Sequence, residues 1–164
     1  MREFMPRPLT AEAFAPFGEV IEAAGRAEVR EINYGHTRRF HDLAGLDVGE
    51  QGGRAIVSLF RAEPLNPLVL RIMERHPLSS QAFMPLQGRP YLVAVAPAGA
   101  FDPWEMQVFR AEGTQGVNYR RGVWHHFLLP LAPASDFLVI DREGPGDNCD
   151  EVELAAADQA TVRL

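Results

Sequence analysis

RAIVSLF at 54–60 and its successors LVLRIMERH (68–76), QAFMPL (81–86), YLVAVAP (91–97), MQVFRA (106–111), HHFLLPL (125–131) and DFLVID (136–141) decide the fold. Each run is short and rich in β-branched or aromatic residues, and turn residues separate one run from the next, which is the pattern of strands joined by tight connections. Strands at that spacing predict a mainly β chain, a barrel or a sandwich. No 3.6-residue periodicity is sustained after the first turns, so a doubly wound α/β fold has no helices to draw on.

Working outward, Thr10 is placed to cap a short helix through Ala11, Ala13 and Phe14, which Pro16 and Gly18 end. The stretch from there to Gly53 is mixed and gives no assignment. Residues 142–164, opening with GPGDN and closing on a polar, alanine-rich end, read as a loop and a peripheral tail. The 13 Pro and 14 Gly are scattered rather than gathered into a linker, and 164 residues is one domain's length, so a single domain over 1–164 is expected.

Composition removes several functions. All 16 cationic residues are Arg, so no Schiff-base or Walker A lysine exists. A net charge of −6, with basic runs no longer than the pairs Arg38-Arg39 and Arg120-Arg121, argues against a nucleic-acid partner. Apolar stretches fall short of the ~18 residues of a membrane span, and MREFMPRPL at the start has no apolar signal core. The lone Cys149 permits neither an internal disulfide nor a cysteine zinc cage. A soluble, cytoplasmic protein is expected, with neither membrane nor nucleic acid as partner.

Strand alternation turns this map into a candidate site. Residues two apart share a face, so Glu74 and His76 project together while Arg75 points away, and Pro77 holds His76 in extended geometry. Taken alone, the trio equally fits an edge strand ending in solvent. A second polar cluster runs QGVNYRRGVWHH (115–126), in which Gly122 can turn the chain, Trp124 can wall a pocket, and one of His125 and His126 faces inward.

The spacing of these residues resembles the two motifs of the cupin barrels. Where the first cupin motif has His-x-His, four residues, Glu, six residues, Gly, this chain has Glu74-x-His76, four residues, Gln81, six residues, Gly88; where the second has Pro-x-Gly-x-x-His, it has Arg120-x-Gly122-x-x-His125. Strand parity selects the same inward groups: Glu74, His76, Gln81 and His125. The stretches NYGHTRRFHDLAG (33–45), ERHPLSSQAFMPL (74–86), QGVNYRRGVWHH (115–126) and DFLVIDREGPGDNCD (136–150) resemble the ureidoglycolate lyases of allantoin (purine) breakdown over nearly the whole chain. The resemblance implies an all-β, cupin-like barrel with a few short peripheral helices. It also implies a homodimer and cleavage of (S)-ureidoglycolate into glyoxylate and urea.

That substrate carries a hydroxyl and a ureido nitrogen on one carbon, so it falls apart by elimination once a base takes the hydroxyl proton. His125 or His76 is the expected base, with Glu74 holding the imidazole. Gln81 and Asn118 offer neutral hydrogen bonds, Tyr119 a proton or a hydrogen bond, and Arg61, Arg120 or Arg121 a guanidinium for the carboxylate. The resemblance further implies a divalent metal, nickel in particular, on Glu74, His76 and His125. A metal-free, hydrogen-bonded pocket is the rival, because the usual first His and the usual Glu are here Glu74 and Gln81. His36, His41 and Asp42 read as a surface loop, lid or partner contact. His126 is expected outside the barrel, Asp141 and Asn148 at turns, Asp102 and Glu105 in a solvated turn, and Cys149 as incidental. Two other functions fit a cupin: a non-catalytic binder of a small acid or sugar, and another cupin enzyme such as a sugar-phosphate isomerase or a dioxygenase.

Overall fold

YLVAVA at 91–96 is apolar at every position, the pattern of a strand covered on both faces. In the computed structural model, which describes residues 1–25, 27–131 and 133–164, the strand Tyr91–Ala96 is buried throughout. Tyr91, Val93 and Val95 enter one apolar cluster, and Leu92, Ala94 and Ala96 enter another.

Three layers follow from that double burial. The middle sheet has the order Asp150–Glu153, Ile72–Arg75, Trp124–His125, Tyr91–Ala96, Gln107–Ala111, Arg7–Pro8, with Leu129–Pro130 also pairing with Tyr91–Ala96. A five-stranded sheet, ordered Gly18–Ile21, Gly116–Tyr119, Gln81–Pro85, Ser135–Glu143, Arg54–Ala62, faces it across the first cluster. There Phe83, Val117, Phe137 and Val139 meet Tyr91, Val93 and Phe109. On the other face lies a small sheet of Arg2–Phe4, Ala160–Val162 and Val69–Leu70, whose Leu70, Ala160 and Val162 pack in the second cluster. The predicted helix is the four residues Ala11–Phe14, capped by Thr10, whose hydroxyl accepts from the Ala13 N–H at 3.1 Å. It drives the fully buried Phe14 against Phe109 and Phe17.

The chain is thus mainly β, as expected, with one short helix and three single 3₁₀ turns among the described residues. Its strands form facing sheets, and among the described residues no sheet closes into a ring of hydrogen bonds. The C-terminal stretch is not a peripheral tail. Asp150–Glu153 pairs with Ile72–Arg75, and Ala160–Val162 pairs with both Arg2–Phe4 and Val69–Leu70. The unassigned N-terminal region contains a two-stranded hairpin, Glu28–Ile32 with Thr37–His41.

Candidate active site

The strands Ile72–Arg75 and Trp124–His125 run antiparallel with His125 directly opposite Glu74. The link from Tyr119 to His125 is tied in two places: the Gly122 N–H donates to the His76 carbonyl at 3.0 Å, and the Val123 N–H to the Arg120 carbonyl at 3.1 Å. Gly122 takes φ +77°, a left-handed conformation that costs glycine little and other residues more. The Tyr119 ring then lies flat on the His125 ring, 4.1 Å between centroids and 1° between planes. Between the two large sheets these residues border a cavity of about 350 Å³, walled by Glu74, Tyr119, His125, Phe60, Phe83 and Phe127. A volume of that size suits a small molecule.

His76 stands behind Glu74. Its Nδ1 lies 2.7 Å from the Asn148 carbonyl oxygen and its Nε2 lies 2.9 Å from Gln81 Oε1. The amide of Gln81 is oriented by Asp141, whose carboxylate accepts from Gln81 Nε2 at 3.0 Å. Both ring nitrogens thus face acceptors, and Glu74 Oε1 lies 4.0 Å from Nε2. His76 is therefore neither a free base nor a free ligand.

His125 is held differently. Its Nδ1 is 3.3 Å from the His126 carbonyl and 3.7 Å from Glu74 Oε1, while its Nε2 is buried without a partner. Burial, and then the nearby His76, lower its pKa to about 3. An imidazole in that environment is held in its neutral form. Glu74 moves the other way, since burial raises its pKa above the usual carboxylate value. Glu74 opens on the cavity, and the Nδ1 of His125 faces the His126 carbonyl, with Glu74 Oε1 beyond hydrogen-bonding distance at 3.7 Å. Burial also pushes the Tyr119 hydroxyl upward, which keeps it a hydrogen-bond donor and makes it a poor acid.

Glu74, His76, Gln81 and His125 thus converge and Tyr119 lines the cavity with them, but Gln81, Asn118 and the three arginines are engaged by other partners. Gln81 spends its amide on His76 and Asp141. Asn118 points to the opposite face of its sheet and donates to Glu19 and to the Gly45 carbonyl. Arg61 lies at the cavity rim, 77% exposed, in a bidentate pair with Asp136. Arg120 donates to the Ala15 and Pro16 carbonyls, and Arg121 is taken by Asp47 and Glu50. His126, expected outside, lines the cavity because the strand ends at His125 and its alternation ends with it. Asp141 and Asn148 are hydrogen-bond anchors for the His76 network rather than turn residues alone. The apolar walls Phe60, Phe83 and Phe127 carried no signal that set them apart from core residues.

Residues 1–162 match the family described as Ureidoglycolate lyase. The chain belongs to the ureidoglycolate lyase family. Curated ureidoglycolate lyases align along most of its length: that of Burkholderia mallei (strain NCTC 10229) is 52% identical, covering 94% of this chain and 91% of its own. Those of Burkholderia cepacia and Rhizobium etli (strain CIAT 652) are 56% and 55% identical, covering 91% and 92% of this chain and 85% and 92% of theirs. Among solved structures, a chain from work on Bacillus subtilis oxalate decarboxylase aligns at TM-score 0.42 and 16% identity, over 61% of this chain and 24% of that one, a likeness too distant to carry an argument.

In this ureidoglycolate lyase family member, Glu74, His76 and His125 each offer a ligand atom, all within 4.8 Å of one another, a grouping that can hold a cation. The hydrogen bonds do not fit that use. Both His76 nitrogens face acceptors, so a metal would have to displace Gln81 or Asn148 before finding a lone pair there.

The same burial makes stability depend on pH. His125 and His126 are held near 3 and near 4, against 6.5 for an ordinary histidine. Below about 6.5 the unfolded chain binds more protons than the folded one, so the stabilisation is complete above that pH and is lost as pH falls, by up to ~1.4 kcal/mol per pH unit per histidine. Thermal unfolding should give a clearly lower Tm at pH 5 than at pH 7, and His126→Leu should flatten the dependence. A Tm unchanged between pH 7 and 4.5 contradicts the assignment.

Proposed function

We propose that this chain is a ureidoglycolate lyase, releasing urea and glyoxylate from (S)-ureidoglycolate by base-promoted elimination in the cavity at Glu74. The observation that carries the reading is identity above 50% to curated ureidoglycolate lyases over more than nine-tenths of the chain. The Glu74 carboxylate takes the hydroxyl proton, the C=O bond forms as the C–N bond breaks, and the electron pair goes to the ureido nitrogen. Hydroxyl and nitrogen share one carbon, so the same carboxyl then delivers the proton to the departing urea and is restored. His125 and His76 flank the carboxylate, 3.7 Å and 4.0 Å from its Oε1, and the Tyr119 hydroxyl donates a hydrogen bond to the substrate.

Both His76 nitrogens are already engaged by Asn148 and Gln81, which supports a metal-free reaction. Exhaustive chelation is expected to leave turnover within about twofold of the untreated enzyme, a change too small to matter beside the ~10²–10⁴ that a general base contributes. Loss of activity restored by nickel or manganese would overturn that. The deciding assay is incubation with (S)-ureidoglycolate: urea without ammonia supports the lyase, whereas ammonia, or no product, contradicts it.

The reading extends to allantoin breakdown in the cytoplasm and to a homodimer. No helix among the described residues is long and apolar enough to cross a membrane. Support for a second copy comes from the edge strand Arg54–Ala62, whose Val57 and Leu59 are each 67% exposed on the outer face. Sedimentation should give twice the 18.2 kDa chain mass.

A further inference from the structure

We infer that the hairpin Glu28–His41 is an arm received by a second copy of this chain, and that its Arg39 completes the partner's cavity by holding the substrate's carboxylate. The carboxylate rests on the lyase reading; the arm does not.

Among the described residues, the cavity of one chain is lined by no guanidinium free of a carboxylate. Its ionisable wall among the described residues is Glu63, Glu74, Tyr119, His125, His126 and Arg61, and Asp136 already holds Arg61 with two hydrogen bonds. An anionic substrate entering beside two carboxyl groups needs a guanidinium from elsewhere.

The arm carries one that is unspent. Its two strands pair with each other and with no other strand, and all of their residues except Phe40 and His41 are exposed. A lone two-stranded ribbon is marginal in water, yet this one displays Val29, Ile32 and a fully exposed Tyr34 at its tip. Register places Arg30 opposite Arg39 and Glu31 opposite Arg38. Arg30 is bonded to Glu28 at 2.9 Å, and Arg38 faces Glu31 and lies over the Phe40 ring. Arg39 is exposed and has neither an ion pair nor a ring contact among the described residues. Like charges opposite one another disfavour the hairpin on its own, and an anion between them removes the penalty. The receiving surface is continuous with the exposed apolar face of Arg54–Ala62, because residues 60–63 form the cavity rim. In a twofold dimer each arm reaches the other chain's cavity by the same contact.

Two measurements test this. In a Cys149→Ser background, Arg39→Cys chains co-expressed with Glu63→Cys chains should be joined into a covalent pair by a short bismaleimide, a readout independent of any reaction. No covalent pair overturns the arm. Arg39→Ala should lower kcat/KM by roughly 10²-fold, mostly through KM, with the fold intact. Co-expressed with Glu74→Gln chains, it should recover about a quarter of wild-type activity, because half of randomly formed dimers are mixed and each mixed dimer keeps one intact site. Wild-type-like turnover in Arg39→Ala, or no recovery in the mixture, overturns the role of Arg39. Absence of urea from the wild-type protein, with the covalent pair formed, overturns the lyase reading and leaves the arm standing.

Discussion

Replacing Glu74 by Gln is expected to lower turnover of (S)-ureidoglycolate by roughly 10²–10⁴-fold with the fold retained. The amide fills the same volume and still faces His125 across the strand pair, but it cannot take a proton. In the wild-type enzyme the base works only when ionised, so kcat/KM must fall as pH drops through its pKa. Burial raises that pKa above the ordinary carboxylate value of 4.5, which places the acid limb higher than an exposed glutamate would. Near-normal turnover in a folded Glu74→Gln protein, confirmed by unchanged far-UV dichroism, would remove Glu74 from the reaction.

His125→Gln is the second large effect, and its pattern separates the two residues. Loss of the imidazole whose ring stacks on Tyr119 and packs 3.7 Å from Glu74 Oε1 should cost about 10²-fold in turnover. With the ring gone, the packing that keeps Glu74 from water is looser, so the acid limb of the remaining activity moves down toward the ordinary carboxylate value. If His125 were itself the base, the limb would disappear rather than move, and Glu74→Gln would be the milder variant. The folded-state imidazole near 3 argues against that ordering.

Much of the site was legible because the alternation of side chains in strands is a local property. It put Glu74, His76, Gln81 and His125 on one face, and the register that sets His125 against Glu74 brought them together. The same rule, applied strictly, removes Asn118: Val117 and Tyr119 both pack inward, so the residue between them cannot. Arg61 lies between the inward Phe60 and Ala62 for the same reason, and its partner Asp136 appears only once the strands are paired in space. His126 escaped because alternation says nothing beyond the end of a strand. Protonation was also illegible. Whether an imidazole is a base or a neutral donor depends on how completely its neighbours exclude water, and sequence spacing carries no measure of that.

The fold divides in the same way. YLVAVA declared a strand covered on both sides through composition alone. DEVE at 150–153 forms an edge strand whose alternate residues remain exposed, so its polarity resembled a tail. EVREI and TRRFH pair into a hairpin with water on both faces, where no hydrophobic period exists to be read.

The central claim is that the cavity between Glu74, Tyr119 and His125 is where the substrate's carbon–nitrogen bond breaks. A crystal structure of the protein grown with the product glyoxylate tests it most directly. Glyoxylate bound in that cavity, with an oxygen within hydrogen-bonding distance of the Glu74 carboxyl and the Tyr119 hydroxyl, is the predicted result; glyoxylate bound only in the separate hollow beside Glu19 and Arg120, or absent at saturating concentration, would contradict it.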